Sequence, residues 1–433
     1  MHDAAAGGAV TAEARRSKEH AMGRLLRSLG PGVTTGAADD DPSGIATYSV
    51  VGAQHGLAFL WSALFIWPLM GCVQMMCARI GMVTGMGLAG AMRQKYPRWL
   101  VGLAVLLLLL ANIINIAADL GGMADAAHML RLGPSMPLVW LFGLGISALT
   151  VWLRYHQIAN ILKWLALALF AYVITAFLVH PDWSSVLRAT LIPSIPRGSE
   201  GWGALVAILG TTISPYLFFW QAGQEVEEDK AKGHHLLTSR LGASRRQLAD
   251  RRIDVGVGTF FSNLAMFFII LTTAATLHRH GVTQIATSRD AAEALRPLAG
   301  RYAYFLYTVG IVGTGLLAIP TLAGSAAYAV AETFDWRYGL DEKFKNAAPF
   351  YAVFVLATVA GVMLDFLRIN PIQALYWTAI INGFLAPFLL LALLLVANDR
   401  RIMQGQSSSR LSRSVVALTT LLMFAAAIAM LAL

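Results

Sequence analysis

GPGVTTGAADDDPSGIATYSVVG, residues 30–52, is apolar or small at both ends and carries Asp39, Asp40, Asp41 and Pro42 at its centre. A charged residue at the middle of a bilayer helix costs roughly 2.5–3.5 kcal/mol on insertion scales. Three adjacent aspartates also repel one another, and Pro42 removes a backbone donor. The stretch therefore reads as a membrane crossing whose helix is broken halfway. A second stretch, ALVAILGTTISPYLFFWQAGQ (204–224), is broken in the same manner at Gly210, Thr211, Thr212, Ser214 and Pro215.

The rest of the chain agrees with a membrane reading. Of 433 residues, 57% are hydrophobic and only 13% charged, about half the charged share of an ordinary soluble domain. The apolar residues come in runs, such as VGLAVLLLLLANIINIAA (101–118) and ALYWTAIINGFLAPFLLLALLLVA (374–397). A run of roughly 20 apolar residues spans the hydrocarbon core, and only a helix satisfies its own backbone there. About eleven spans are expected: roughly 31–54, 57–80, 99–124, 134–153, 157–179, 202–226, 253–277, 301–330, 348–367, 371–397 and 414–433.

The net charge of +9 fits the positive-inside rule. With the N-terminus in the cytoplasm, Lys and Arg divide roughly three to one in favour of the inner segments. Basic residues are not interleaved with aromatics, so nucleic-acid binding is not expected. Cys72 and Cys77 lie on one helix and point apart, which excludes a disulfide or zinc pair. Residues 1–28 hold five basic residues and no apolar core, so they read as a cytoplasmic tail with no signal peptide.

The two broken spans head two sets of five. Gly/Pro-interrupted segments at corresponding places mark an inverted-repeat transporter. The expected fold is an all-α polytopic membrane protein in two inverted five-helix repeats, about 29–180 and 200–400, with helices 1 and 6 discontinuous. Residues 401–433 then form a cytoplasmic linker and a final span.

The breaks carry the chemistry. Unwinding at Gly36, Pro42 and Gly44 frees carbonyl oxygens beside the carboxylates of Asp40 and Asp41. The facing break adds a carbonyl near Thr211 and the Ser214 hydroxyl. Such an oxygen-rich set suits hard divalent cations. Asp39 and Asp119 are expected along the aqueous route and Asp125 near the outer surface. Glu225, Glu227, Glu228 and Asp229 read either as an attractor for cations or as a solvated helix end. His234-His235 reads as loop, and Asp365 as the outer end of the ninth span. No catalytic triad, phosphate loop or zinc signature is present.

GPGVTTGAADDDPSGIATYS, GLAFLWSAL, ARIGMVTGMGLA (78–89) and TTISPYLFF together resemble the Nramp (natural-resistance-associated macrophage protein) metal-ion transporters. The resemblance runs through most of 28–400 and implies a LeuT-like fold. Its first-span motif, Asp-Pro-Gly-Asn, corresponds to Asp41-Pro42-Ser43-Gly44, and its sixth-span Met-Pro-His to Ser214-Pro215-Tyr216. A second family histidine falls at Gln221. The third-span Asp-x-x-Glu pair reads Asp119-Leu120-Gly121-Gly122, and the tenth-span glutamine falls near Ala379.

These departures share a direction. A thioether helps a site choose Mn²⁺ or Fe²⁺ over Mg²⁺ and Ca²⁺, and here it is absent from the sixth-span position. The lost glutamate and histidines remove proton relays. The pattern resembles the Nramp-related magnesium branch. The expected protein is no enzyme and has no cofactor. It carries Mg²⁺, and Mn²⁺ to some degree, across the inner membrane without obligate proton coupling. The alternatives are a proton-coupled Mn²⁺/Fe²⁺ symporter and an organic-solute symporter on the same fold.

Overall fold

The computed structural model describes residues 30–152, 168–340, 342–367 and 369–432. Among these residues the regular secondary structure is all helical, with no strand. In chain order the helices are α1 (Pro31–Asp39), α2 (Pro42–His55), α3 (Leu60–Thr84), α4 (Leu88–Arg93), α5 (Arg98–Met129), α6 (Ser135–Trp152), α7 (Phe170–Leu178), α8 (Trp183–Leu191) and α9 (Ser199–Thr212). They continue with α10 (Pro215–Ala231), α11 (Arg245–Thr276), α12 (Ser288–Glu293), α13 (Arg296–Ala299), α14 (Ala303–Thr333), α15 (Ala348–Leu364), α16 (Pro371–Asn398) and α17 (Arg410–Ala432). Among the described residues, nine stretches are long and apolar enough to cross a membrane. The fifth expected span, 157–179, lies partly outside the described residues, and its described part is α7.

Among the described residues, the boundary furthest from expectation is the start of the seventh span. The run of charges before 253 reads as loop, and the span is expected to start at 253. Its helix, α11, begins at Arg245, where Ser244 and Gln247 form a capping box. That box satisfies the first free amides, so the helix continues outward through the charged residues.

Polar residues face inward and leucines outward, the reverse of a soluble helix. On α5, Asn112, Asn115 and Asp119 are buried, while Leu103, Leu106, Leu107 and Leu110 are exposed. The spacing of 112, 115 and 119 places the three on one helical face. Asn112 Nδ2 donates to the Leu322 carbonyl at 2.9 Å and to Ser325 Oγ at 2.8 Å, tying α5 to α14. The half-helices α1 and α2 sit in the middle of the bundle, with every residue from Ala38 to Ala53 buried. α1 approaches α11 closely because both are bare there: a Cβ on Gly36 would lie 2.5 Å from the Gly258 backbone. Close contact through small residues is how helices associate in lipid.

Candidate functional site

The two breaks have matching backbones. At the first, Asp40 (φ −81°, ψ 55°) ends α1, and Asp41 (φ −71°, ψ 170°) is extended and precedes Pro42. At the second, Ile213 (φ −112°, ψ 56°) ends α9, and Ser214 (φ −76°, ψ 135°) is extended and precedes Pro215. Each proline occupies the first position of a new helix, where no amide is needed. Asp41 caps its half-helix: its Oδ1 accepts from the Gly44 amide at 2.7 Å.

The breaks also touch. Tyr216, in the first turn of α10, donates its hydroxyl to the Ala38 carbonyl at 2.9 Å. That carbonyl is one of those an α-helix leaves free at its C-terminal end. Gly44 faces Thr211: a Cβ built on Gly44 would lie 3.2 Å from Thr211 Oγ1. Ser214 Oγ donates to the Gly210 carbonyl at 2.7 Å. The C-terminal ends of α1 and α9 thus bring carbonyl oxygens, the negative ends of helix dipoles, to the same level as the aspartates.

The three aspartates point to two walls, Asp39 and Asp40 to one and Asp41 to the other. Asp39 Oδ2 accepts from Ser262 Oγ on α11, and Asp40 Oδ1 lies 3.3 Å from the same hydroxyl. Asp39 Oδ1 is buried with no hydrogen-bond partner among the described residues. Asp41 faces α5: its Oδ2 accepts from Asn115 Nδ2 at 3.2 Å. The same nitrogen lies 3.1 Å from Asp119 Oδ2, and Asn382 Nδ2 of α16 donates to Asn115 Oδ1 at 3.3 Å. Among the described residues, no three His, Cys, Asp or Glu side chains converge as a closed metal cage.

Other residues singled out from the sequence lie elsewhere. Gln221 points along α10 and donates to Glu225 Oε1 at 2.7 Å. Asp125 Oδ2 accepts from the Ser288 amide at 3.2 Å, at the opposite end of α5 from Arg98. Ala379 packs against Gly210, whose added Cβ would meet the Ala379 carbonyl at 2.0 Å. Asn115, Asn382 and Ser262 were not anticipated. The first of them stands in the sequence as a polar residue at helical spacing from Asn112 and Asp119, within the apolar stretch 101–118.

The acidic end of α10 is buried and paired at Glu225 and Glu227 and partly exposed at Glu228 and Asp229. Arg251 of α11 binds Glu225, Glu228 and Asp254. Asp254 in turn accepts from the amides of Gly30 (2.8 Å), Gly32 (2.8 Å) and Val33 (3.1 Å). It caps the start of α1, which has no side-chain cap of its own. Nearby, Lys230 donates to Glu227 at 2.8 Å and to the Tyr338 carbonyl at 3.0 Å. Arg93 pairs with Asp335 and donates to the Glu332 carbonyl at 2.7 Å, and its hydrogen bond holds the Asp335 carboxyl below the ordinary range.

Two helices broken at matching places, with carboxylates and freed carbonyls facing across the gap, define the inverted-repeat class of membrane transporters. The model of the family described as natural resistance-associated macrophage protein-like matches residues 32–433. The chain belongs to the Nramp family. Among curated proteins it is similar to a divalent metal cation transporter MntH of Caldanaerobacter subterraneus subsp. tengcongensis, 26% identical over 90% of this chain and 89% of that one. A protein of the same description from Deinococcus radiodurans is 26% identical over 91% of this chain and 86% of its own. Among solved structures, the manganese transporter of Eremococcus coleocola superposes with a TM-score of 0.74 at 19% identity, over 93% of this chain and 86% of that one. Mhp1, a nucleobase-cation-symport-1 family transporter, superposes with a TM-score of 0.54 at 15% identity, over 93% and 90%. These structural likenesses carry the fold: the bundle is LeuT-like.

Proposed function

We propose that this chain moves divalent metal cations into the cytoplasm by alternating access around Asp41, with Mg²⁺ as the principal cargo and the membrane potential as the driving force. The observation that carries this reading is the placement of Asp41 at the first break. It is a buried carboxylate bound by the Gly44 amide and Asn115, with Ser214 rather than a thioether at the matching point of the second break. Such a site discriminates weakly in favour of softer ions. The spread of the aspartates over two walls suits an ion that keeps several waters, as Mg²⁺ does. Family membership and the relatives' descriptions support a divalent cation as cargo. The excess of Lys and Arg on one side supports an N-terminus in the cytoplasm and a bacterial inner membrane as location.

A proton-coupled Mn²⁺ symporter is the second reading. It is favoured by the retained Asp41 and Asp119 and by relatives described as manganese transporters. The experiment that separates the two is uptake into proteoliposomes of Mg²⁺ and of Mn²⁺, each with a pH-sensitive dye in the lumen. Mg²⁺ entry under a negative interior potential, without proportional acidification, supports the first reading. Saturable Mn²⁺ entry with a fixed proton ratio, unaffected by millimolar Mg²⁺, overturns it.

A further inference from the structure

Asn115 of α5 is held by three partners at once. Its Nδ2 lies 3.2 Å from Asp41 Oδ2 and 3.1 Å from Asp119 Oδ2, and its Oδ1 accepts from Asn382 at 3.3 Å. Carboxylate oxygens on one side and an amide donor on the other leave one orientation for the Asn115 amide. Asn115 and Asn382 are both buried, so water does not compete for these bonds.

The consequence falls on Asp41. Its Oδ1 is bound by the Gly44 amide at 2.7 Å, from its own half-helix, and its Oδ2 by Asn115, from another helix. Each oxygen has one acceptor position filled, and the plane of the carboxylate is fixed from both ends. Turning the group to offer both oxygens to one ion breaks at least one bond to a charged acceptor.

Divalent ions differ in what they ask of a carboxylate. Ca²⁺ takes six to eight oxygens and accepts bidentate carboxylates, whereas Mg²⁺ demands a near-ideal octahedron and binds through one or two carboxylates with retained water. We infer that Asn115 is a specificity-determining residue that holds Asp41 to single-oxygen coordination and so disfavours Ca²⁺ against smaller divalent cations. This deepens the assignment of Asp41 as the cargo site and rests on it, but does not require that Mg²⁺ be the preferred cargo.

The test uses the full chain in proteoliposomes, with Mn²⁺ as reference ion and Ca²⁺ as competitor. Asn115→Leu keeps the approximate shape and removes both donors. The ratio of the Ca²⁺ to the Mn²⁺ half-saturation concentration is expected to fall roughly tenfold, corresponding to ~1.4 kcal/mol, close to the lower limit of about 1.5 kcal/mol for one hydrogen bond to a charged group. Asn382→Leu leaves the Asn115 amide free to turn and is expected to shift the ratio the same way by a smaller factor. It stands as the test if Asn115→Leu does not fold. An unchanged ratio in a folded variant, or equal weakening of both ions, overturns the inference. If the unaltered chain carries Mn²⁺ and not Mg²⁺, the magnesium reading fails while this comparison stays decisive.

Discussion

Arg251 Nε lies 2.9 Å from Glu225 Oε2, joining α11 to α10 in a buried ion pair. Through Asp254, the same guanidinium is connected to the amides that begin α1. The free start of a half-helix that ends at the candidate site is thereby tied to two neighbouring helices. A movement of α1 relative to α10 and α11 on this side of the bundle must break that tie.

Removing the guanidinium tests the tie directly. Arg251→Ala leaves Glu225 and Asp254 buried without their cation, a change that costs about 3–5 kcal/mol. A lower melting temperature is expected, together with faster labelling of a cysteine introduced at Thr35, a buried residue of α1. Arg251→Lys keeps a charge but not the three-way fork and is expected to fall between. Unaltered labelling in a folded Arg251→Ala protein would count against a clamp on α1.

Asp41 combines a structural role and a transport role, and two substitutions separate them. Asp41→Asn keeps an N-cap of similar strength, whereas Asp41→Ala loses a cap worth about 1 kcal/mol. Both are expected to abolish divalent cation uptake, and only Asp41→Ala is expected to lower thermal stability noticeably. Uptake by Asp41→Asn at the unaltered rate would remove Asp41 from the cargo site.

How far the sequence reached depended on whether a feature was local. The two breaks were legible because Asp41-Pro42 and Ser214-Pro215 interrupt apolar runs, and no tertiary information is needed to see that a helix stops there. The direction of each aspartate was not legible. Adjacent residues on an unwound segment point to different walls, and only packing decides that Asp39 meets Ser262 while Asp41 meets Asn115. Arg251 was hidden for a related reason. In the sequence it belongs to a charged stretch that reads as cytoplasmic loop, and its place in α11 follows from the capping box that starts the helix before it. Asp254 falls inside the expected seventh span, but nothing local shows that it meets the amides of Gly30, Gly32 and Val33. Asn382 lies one turn beyond Ala379, the position to which the family glutamine was assigned, so the tenth helix still presents an amide towards the site.

Restoring the family residues is expected to change selectivity and to meet a steric limit. Ser214→Met places a thioether at the second break and should raise preference for Mn²⁺ over Mg²⁺ about tenfold or more, since soft ligands favour the softer ion. It also removes the bond from Ser214 to the Gly210 carbonyl. Gly44→Asn is harder to accommodate, because its Cβ would lie 3.2 Å from Thr211 Oγ1 and 3.4 Å from Tyr48 Cε2. The double variant is therefore expected to be less stable than Ser214→Met alone, with Thr211→Ala partly relieving it. Competition of Mg²⁺ against Mn²⁺ uptake, with melting curves, checks both points.

Metal entry is expected to proceed without obligate proton transport. A proton path needs titratable groups in a connected, hydrated row. At the position where the resemblance implies a glutamate, Gly122 packs against Leu375: an added Cβ would lie 2.9 Å from Leu375 Cδ1. The two histidine positions are Tyr216, engaged with the Ala38 carbonyl, and Gln221, engaged with Glu225. Beyond Asp119, then, the family's row is interrupted by an apolar contact on one helix and by Tyr216 and Gln221 in place of the histidines on the other. The membrane potential is a sufficient drive: about 2.3 kcal/mol per charge per 100 mV doubles to about 4.6 for a divalent ion, more than a thousandfold in accumulation. In proteoliposomes at equal pH on both sides, a potassium-diffusion potential is expected to drive Mg²⁺ influx without luminal acidification. Asp119→Asn is expected to leave the potential dependence of that influx in place. Acidification in fixed ratio to metal entry, persisting with the potential clamped at zero, would establish coupling and return Asp119 to the role of proton carrier.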